Sequence, residues 1–150
     1  MEHMDHTKYS GTDYAYHGGT FAANPTSLAA GLATIDVLER FPVYDHIDKL
    51  GKQAREPLNS TFDDLHFPAQ TTGVGSLFSI HLTNKKPISD ASSLTLSDHI
   101  QSRKVFHYLL ENGILILQPD MLHGAISYAH TEDDISHLTS ILERYVKNHK

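Results

Sequence analysis

The sequence contains no cysteine among its 150 residues. Without cysteine the chain has no disulfide framework, no thiolate metal site and no cysteine nucleophile. Proteins that fold in reducing compartments commonly have this composition. We therefore expect a cytoplasmic protein.

Long apolar runs are also missing. No stretch approaches the roughly 20 apolar residues that a membrane-spanning helix needs. Residues 1–8 lack the basic-then-apolar pattern of a secretory signal. The sequence therefore predicts no contact with a membrane.

Basic residues are few and scattered. The chain has 12 Lys and Arg against 18 Asp and Glu, which gives a formal net charge of −6. No basic stripe is available to neutralise a phosphate backbone, so nucleic acid is not an expected partner. The 12 histidines are unusual, and their protonation near pH 6 would move the net charge towards zero.

Motifs for metal binding and for hydrolysis are lacking as well. His3 and His6 form an H-x-x-H pair, but no third ligand lies nearby in the sequence. There is no H-x-x-x-H pair and no G-x-S-x-G nucleophile motif. We expect neither a metal site nor a hydrolase.

A glycine-rich loop leading into a helix is the most informative stretch of the chain. Gly18 and Gly19 lack a Cβ, so the backbone can approach a ligand closely, and Thr20 adds a hydroxyl. Asn24 and Pro25 are a typical N-cap and first helical residue. Free N–H groups at such a place favour an anion, so a phosphate or carboxylate seat is one interpretation, with ordinary turn chemistry as the alternative.

Hydrophobic periodicity predicts an α+β fold. Apolar residues recur at helical spacing in four stretches, and we predict helices over 25–40, 43–65, 98–112 and from 132 to the end of the chain. The first helix is expected to be buried through Leu28, Leu32, Ile35 and Leu38. Short apolar or alternating runs predict strands over 77–82, 114–117 and 125–129. Helices would then cover one face of a small, partly antiparallel sheet.

Several of these stretches together resemble one enzyme family. They resemble the part of class III aminotransferases, and especially of glutamate-1-semialdehyde aminomutases, that follows the active-site lysine. The matching stretches appear in the family's order: H-G-G-T-F-A-A-N-P-T-S-L-A-A-G-L-A-T, D-K-L-G-K-Q-A-R-E-P-L, G-V-G-S-L-F-S-I-H-L-T, L-L-E-N-G-I-L-I-L-Q-P and I-S-Y-A-H-T-E-D-D-I.

The resemblance implies the C-terminal domain of a fold-type I enzyme that uses pyridoxal phosphate (PLP). Residues 1–24 would be a lead-in loop, and residues 25–150 the aminotransferase-like domain with its small sheet covered by helices. Gly19 and Thr20 would contact the phosphate of the cofactor in the other subunit of a dimer or higher oligomer. The family's Schiff-base lysine and large domain would lie before Met1. No catalytic residue and no covalently bound cofactor are therefore expected in this chain.

The chain departs from the aminomutase pattern at one position. Counting back from Ser127 places Leu122 where aminomutases carry a gating glutamate. Three histidines lie near the matched motifs. His123 is interpreted as a surface loop residue, with substitution for that glutamate as the alternative, and His130 as an anchor for the turn before the last helix. His17 is the histidine best placed for a ligand.

Two functions follow as hypotheses. The chain is either the C-terminal segment of a class III aminotransferase or aminomutase, which would work only with a large domain from a separate or missing chain, or a non-catalytic truncated remnant or oligomeric binding module without cofactor. In the second case apolar surface left without its partner favours self-association. All eight lysines are interpreted as surface charges, because none matches the family's lysine motif.

Overall fold

The computed structural model describes residues 2–5, 7–8, 15, 18–85, 87–88, 90–117 and 119–149. The chain forms two compact units, Met1–Phe41 and Pro42–Lys150. None of the helices in the described part of the chain is long and apolar enough to cross a membrane.

The first unit contains a short 3₁₀ turn, Glu2–Met4, and the helix α1, Pro25–Arg40. The Asn24 side chain caps α1, because its Oδ1 accepts hydrogen bonds from the N–H groups of Thr26 and Ser27, at 3.0 and 3.2 Å. The predicted helix and its cap are therefore confirmed. The predicted burial is wrong, because α1 has no buried residue and the described part of its unit contains no second long element against which it could pack.

The second unit begins with the long helix α2, Val43–Asp64. One face of this helix is apolar at helical spacing, as predicted, and that face is buried. The fully buried residues of this face are Leu50, Ala54, Leu58 and Phe62.

Three strands form one antiparallel sheet in the order β1-β2-β3: β1 is Ala69–Thr72, β2 is Leu77–Leu82 and β3 is His123–Ala125. In the register, Ala69 lies opposite Leu82, and Phe78 lies opposite Gly124. The alternate residues Phe78, Ile80 and Leu82 of β2 are buried.

The remaining helices are α3, Ala91–Leu94, α4, His99–Glu111, and α5, Glu132–Asn148. Helices α2 and α4 contact the sheet, and α5 packs on α2 and α4. One apolar core joins them, in which the largest fully buried side chains include Tyr145, Phe62, Leu50, Leu58, Ile80 and Leu109. The second unit therefore has the predicted α+β fold class, with a small sheet covered by helices.

The strands differ from prediction in three places. Strand β1 was not predicted, although Ala69 and Thr71 alternate with half-buried neighbours. Residues 114–117 do not form a strand and contribute a single bridge, between Leu117 and His123. Strand β3 begins two residues before the predicted 125–129 and ends at Ala125. Strand lengths of three and four residues carry too little alternation to place their ends from sequence.

Protonation of Asp134 is expected to weaken the start of α5. Its carboxylate accepts hydrogen bonds from the N–H and the Oγ1 of Thr131, both at 2.8 Å. The backbone bond first, and then the hydroxyl bond, hold the pKa of Asp134 below its ordinary value. A pKa lowered by folding contributes stability above the unfolded-state pKa, and this contribution is lost as the pH falls through the folded-state pKa. We therefore expect the free energy of unfolding to fall below about pH 4.

Urea unfolding of the Asp134→Asn variant measures this contribution. The variant should be less stable than the parent chain at about pH 6, and the difference should shrink as the pH falls through the folded-state pKa of Asp134. Asp133→Asn is the matched control, because Asp133 lies in the same first turn of α5. A pH-independent difference for Asp134→Asn would contradict the capping-box explanation.

Candidate functional site

The Gly19–Thr20 loop is a tight turn that leads directly into α1. The C=O of Gly19 accepts a hydrogen bond from the N–H of Ala22 at 2.9 Å. Ala23 then takes a left-handed backbone conformation, with φ of 58°, before the chain enters the cap at Asn24. Gly19 and Thr20 therefore lie exposed in the turn that precedes α1.

The hydrogen-bond donors of this loop are open. In the described part of the chain, the N–H groups of Gly19 and Thr20 and the Thr20 hydroxyl have no hydrogen-bond partner. A Cβ built on Gly19 meets nothing within 4 Å, so an oxyanion has room to approach the backbone. The Asn24 side chain already accepts hydrogen bonds from two N–H groups at the start of α1. The loop at Gly19 and Thr20 is therefore a better binding site for an anion than the helix start. His17 lies outside the described residues.

Position 122 belongs to the core. Leu122 is completely buried and takes a left-handed φ of 43°, and its C=O accepts a hydrogen bond from the N–H of Ile80 at 3.1 Å. A side chain at this position therefore packs inward and does not face a ligand.

Two histidine–hydroxyl pairs cross the sheet. His123 lies on β3, and its Nδ1 is 2.9 Å from the Oγ of Ser79. His81 of β2 places its Nε2 2.8 Å from the Oγ1 of Thr72, and burial lowers the pKa of His81. His123 is thus half-buried in the sheet, which corrects its interpretation as a surface loop residue.

His130 anchors the turn before α5, as predicted. Its Nδ1 accepts a hydrogen bond from the N–H of Ser127 at 3.0 Å, and its own N–H donates to the C=O of Ser127 at 3.1 Å. The His130 C=O accepts from the Nε2 of His46 at 2.9 Å, which ties the turn to α2. His130 is therefore a structural residue.

An ion pair that the sequence did not indicate holds the loop before Leu122. Arg103 Nε donates to Asp120 Oδ1 at 2.6 Å, and Arg103 Nη2 donates to Asp120 Oδ2 at 3.1 Å. These hydrogen bonds to the guanidinium hold the pKa of Asp120 below its usual range and raise that of Arg103. Because the partners are 17 residues apart on a helix and a loop, no local pattern could have predicted the pair.

The comparison with known proteins decides the family. The family model "Aminotransferase class-III" matches residues 2–146. The chain belongs to the class III aminotransferase family.

Relatives and solved structures agree with this family. Glutamate-1-semialdehyde 2,1-aminomutase 2 of Lachnoclostridium phytofermentans is 34% identical over 133 residues, which are 88% of this chain and 31% of that protein. An omega-transaminase from Sphaerobacter thermophilus is 29% identical, with a TM-score of 0.74, and the match covers 95% of this chain and 32% of that one. A transaminase solved with PLP bound is 25% identical with a TM-score of 0.70, over 93% and 32% of the two chains. The chain thus spans about a third of the length of these class III proteins.

The lysines that the structure of this class III chain describes are surface residues, as predicted. Each lysine that the structure describes is exposed, and three of them form ion pairs with nearby carboxylates. The exposed lysines are Lys8, Lys49, Lys52, Lys85, Lys104 and Lys147. Lys86 and Lys150 lie outside the described residues. Within the described ranges, no group of three or more histidine or acidic side chains could hold a metal ion.

Part of the chemistry that PLP requires is present. The open N–H groups and hydroxyl of Gly19 and Thr20 are suitable donors for a phosphate. None of the described lysines is buried, whereas a lysine that forms an imine is usually desolvated in an apolar pocket or lies beside another cationic group. The described residues therefore fit the phosphate of the cofactor and do not supply its reactive amine.

Proposed function

We propose that this chain is the C-terminal segment of a PLP-dependent class III aminotransferase or aminomutase, and that it takes part in transfer of an amino group of the glutamate-1-semialdehyde type. The observation that carries the proposal is the family match over residues 2–146 together with the open donors of Gly19 and Thr20. The segment acts in the cytoplasm and in a dimer or higher oligomer. It requires a lysine-bearing large domain in addition to its own 150 residues.

The contribution of this segment is to bind and orient. When bound, PLP supplies a carbonyl carbon and an electron-accepting ring for amino-group transfer. The N–H groups of Gly19 and Thr20 and the Thr20 Oγ1 would donate hydrogen bonds to the phosphate oxygens. Because Gly19 has open space where a Cβ would lie, the phosphate can reach the backbone. Groups of the large domain would carry out the proton transfers and the transfer of the amino group.

Substitution of Thr20 tests the phosphate contact. A hydrogen bond to a charged group contributes about 1.5–3 kcal/mol, so Thr20→Ala is expected to weaken PLP binding roughly 10- to 150-fold. Binding is measured by absorbance titration of the chain, alone and mixed with the lysine-bearing remainder of the Lachnoclostridium phytofermentans relative. Thr34→Ala is the control, because the Thr34 hydroxyl donates within α1, to the C=O of Ala30 at 2.9 Å.

Equal PLP affinity of the parent and Thr20→Ala would contradict the phosphate contact. If no mixture showed saturable PLP binding, the proposal that this chain takes part in a PLP-dependent enzyme would be wrong. Weak binding that neither threonine substitution changes would indicate random reaction with surface lysines.

One observation favours a second function, that of a non-catalytic oligomeric module. The apolar stripe of α1 is exposed, with Leu28 at 56%, Leu32 at 69% and Ile35 at 52%. Such a stripe is typical of a helix that packs against another protein surface. The same titration separates the two functions, because a module of this kind would associate without saturable PLP binding.

A further inference from the structure

The C-terminal end of α4 carries the sequence Asn112-Gly113. Asparagine is among the thermolabile residue types of proteins. The backbone nitrogen of the next residue can attack the side-chain amide and close a five-membered ring. Glycine favours this attack, because it has no Cβ to hinder the nitrogen and permits most backbone angles. The pair is therefore the place in this chain where loss of the side-chain amide is chemically easiest.

The surroundings of the pair leave room for such a ring. Gly113 is exposed and Asn112 is half-buried. Apart from its chain neighbours, none of the described residues lies within 4 Å of a Cβ built on Gly113. The ends of helices also open at a lower free energy than the core of a domain. Water, which the second step of the reaction needs, therefore reaches this position.

Hydrogen bonds hold the pair in a conformation that does not react. Asn112 Nδ2 donates to the C=O of Tyr108 at 2.8 Å, and the N–H of Gly113 donates to the C=O of Leu110 at 3.1 Å. The ψ of Asn112 is 19°, which places the nitrogen of Gly113 beside the backbone nitrogen of Asn112 and away from its side chain. Ring closure therefore requires the peptide between the two residues to rotate.

A histidine of the neighbouring helix α5 restrains this rotation. The Nε2 of His137 lies 3.2 Å from the C=O of Asn112. Because a C=O group only accepts, Nε2 is the donor of this hydrogen bond. Rotation of the peptide turns the C=O away from α5 and breaks the bond. His137 therefore stabilises the unreactive conformation from outside α4.

Other asparagines of the chain are protected by the residue that follows them or by their own contacts. Asn24 precedes Pro25, whose nitrogen carries no hydrogen to lose. Asn59 lies inside α2, and both atoms of its side-chain amide are hydrogen-bonded to the backbone of Thr71, at 2.7 and 3.2 Å. The exposed pair at the end of α4 has neither form of protection.

We propose that Asn112 is a site of spontaneous deamidation, gated by the opening of the end of α4 and by the contact with His137. The nitrogen of Gly113 loses its proton and attacks Cγ of Asn112. The N–Cγ bond forms, the Cγ–Nδ2 bond breaks, and ammonia leaves with that proton. Water then opens the succinimide ring. Cleavage of the N–Cγ bond gives aspartate, and cleavage of the bond to the backbone carbonyl carbon gives isoaspartate.

Either product weakens the end of α4. A carboxylate cannot donate to the C=O of Tyr108, which loses the hydrogen bond that it accepts from Asn112 Nδ2. The new negative charge also lies at the C-terminal end of the helix, where the helix dipole disfavours it. Isoaspartate in addition lengthens the main chain by one carbon atom. Because ammonia has left, the change persists, and it loosens the connection between α4 and residues 114–117.

The test incubates the whole chain at neutral pH and follows each asparagine by peptide mapping, in which chromatography separates aspartate from isoaspartate and mass spectrometry identifies the site. His137→Leu removes the restraining donor. We expect it to speed conversion of Asn112 roughly 2- to 12-fold, the effect of one hydrogen bond on the open population. His137→Gln keeps an N–H donor and should convert at the parent rate. Asn84 is exposed and precedes Lys85, and its rate should be equal in all three chains.

Several results would overturn the proposal. Conversion of Asn84 without conversion of Asn112 would mean that the end of α4 does not open. Equal rates at Asn112 in the parent chain and in His137→Leu would mean that His137 does not restrain the peptide. Unchanged hydrogen exchange of the Ile114 amide in Asn112→Asp would contradict the loosening of the helix end. Should His137→Leu also change the rate at Asn84, the comparison of Asn112 with Asn84 in the parent chain decides the matter.

Discussion

Replacement of Tyr145 by alanine is expected to lower the free energy of unfolding by about 3–5 kcal/mol, the range for truncation of a buried aromatic ring. Tyr145 is 2% exposed at the centre of the core. Its ring meets those of Phe67 and Tyr108 at centroid distances of 6.5 and 5.1 Å and stacks on His149 at 4.1 Å. Loss of the ring therefore leaves a cavity that three neighbours line.

Tyr145→Phe is the matched control for this experiment. It keeps the ring and removes the hydroxyl that accepts a hydrogen bond from Gln101 Nε2 at 2.9 Å, so a loss of about 1 kcal/mol is expected. Both variants are compared with the parent by urea unfolding monitored by circular dichroism. Equal losses for the two would mean that the hydroxyl, and not the packing of the ring, stabilises the core.

Replacement of Gly51 by alanine is the second large effect, with an expected loss of about 2–3 kcal/mol from overpacking. A Cβ at this position of α2 would lie 1.9 Å from the C=O oxygen of Gly75 and 2.8 Å from Arg55 Nη1. Arg55 Nη1 donates to the C=O groups of Gly75 and Leu77, at 2.7 and 3.0 Å, and so fixes the turn between β1 and β2. The clash therefore pushes this hairpin away from α2.

Gly31→Ala is the control for the substitution of Gly51, because both glycines lie inside helices. A Cβ on Gly31 meets nothing within 4 Å, so alanine should stabilise α1 by roughly 0.5–1 kcal/mol through its helix propensity. Opposite signs for the two substitutions are expected in urea unfolding. A stabilising Gly51→Ala would show that α2 and the hairpin are farther apart than the contact with Gly75 requires.

The sequence predicted best those elements whose signals are local and repeated. The apolar residues of α5 are all buried, because several turns of one helix repeat the same apolar face: Ile135, Leu138, Ile141, Leu142, Tyr145 and Val146. Thr131 and Asp134 form a capping box at the start of this helix, and such a cap depends only on residues three apart. Gly113, with its left-handed φ of 80°, is an equally local signal for the end of α4.

Short segments were predicted poorly because their structure depends on distant parts of the chain. Residues 114–117 are apolar enough for a buried strand, yet the C-cap of α4 holds them away from β3 after one bridge. Helix α4 exposes Ile100, at 72%, although this residue is apolar. The intrinsic β-propensity of a short apolar segment does not determine which parts of the chain pack against it.

The candidate site was predictable in part. Gly19 and Thr20 were selected by resemblance to a family, and their hydrogen-bond donors are open in the structure, but their contact with PLP stays a prediction. The Arg103–Asp120 pair depends on tertiary placement, which no spacing in the sequence encodes. Residue types therefore indicated the candidate anion-binding loop and did not indicate the ion pair.

The burial of Leu122 has a consequence for protein engineering. Its left-handed φ of 43° and complete burial mean that the backbone of the loop, and not the side chain alone, directs this position into the core. Introduction of a glutamate here would place a carboxylate among apolar side chains, which costs about 3 kcal/mol or more unless the group is paired. A designer who wants a carboxylate at this point must therefore transplant the loop over residues 119–123 as a unit, together with the Arg103 that holds it.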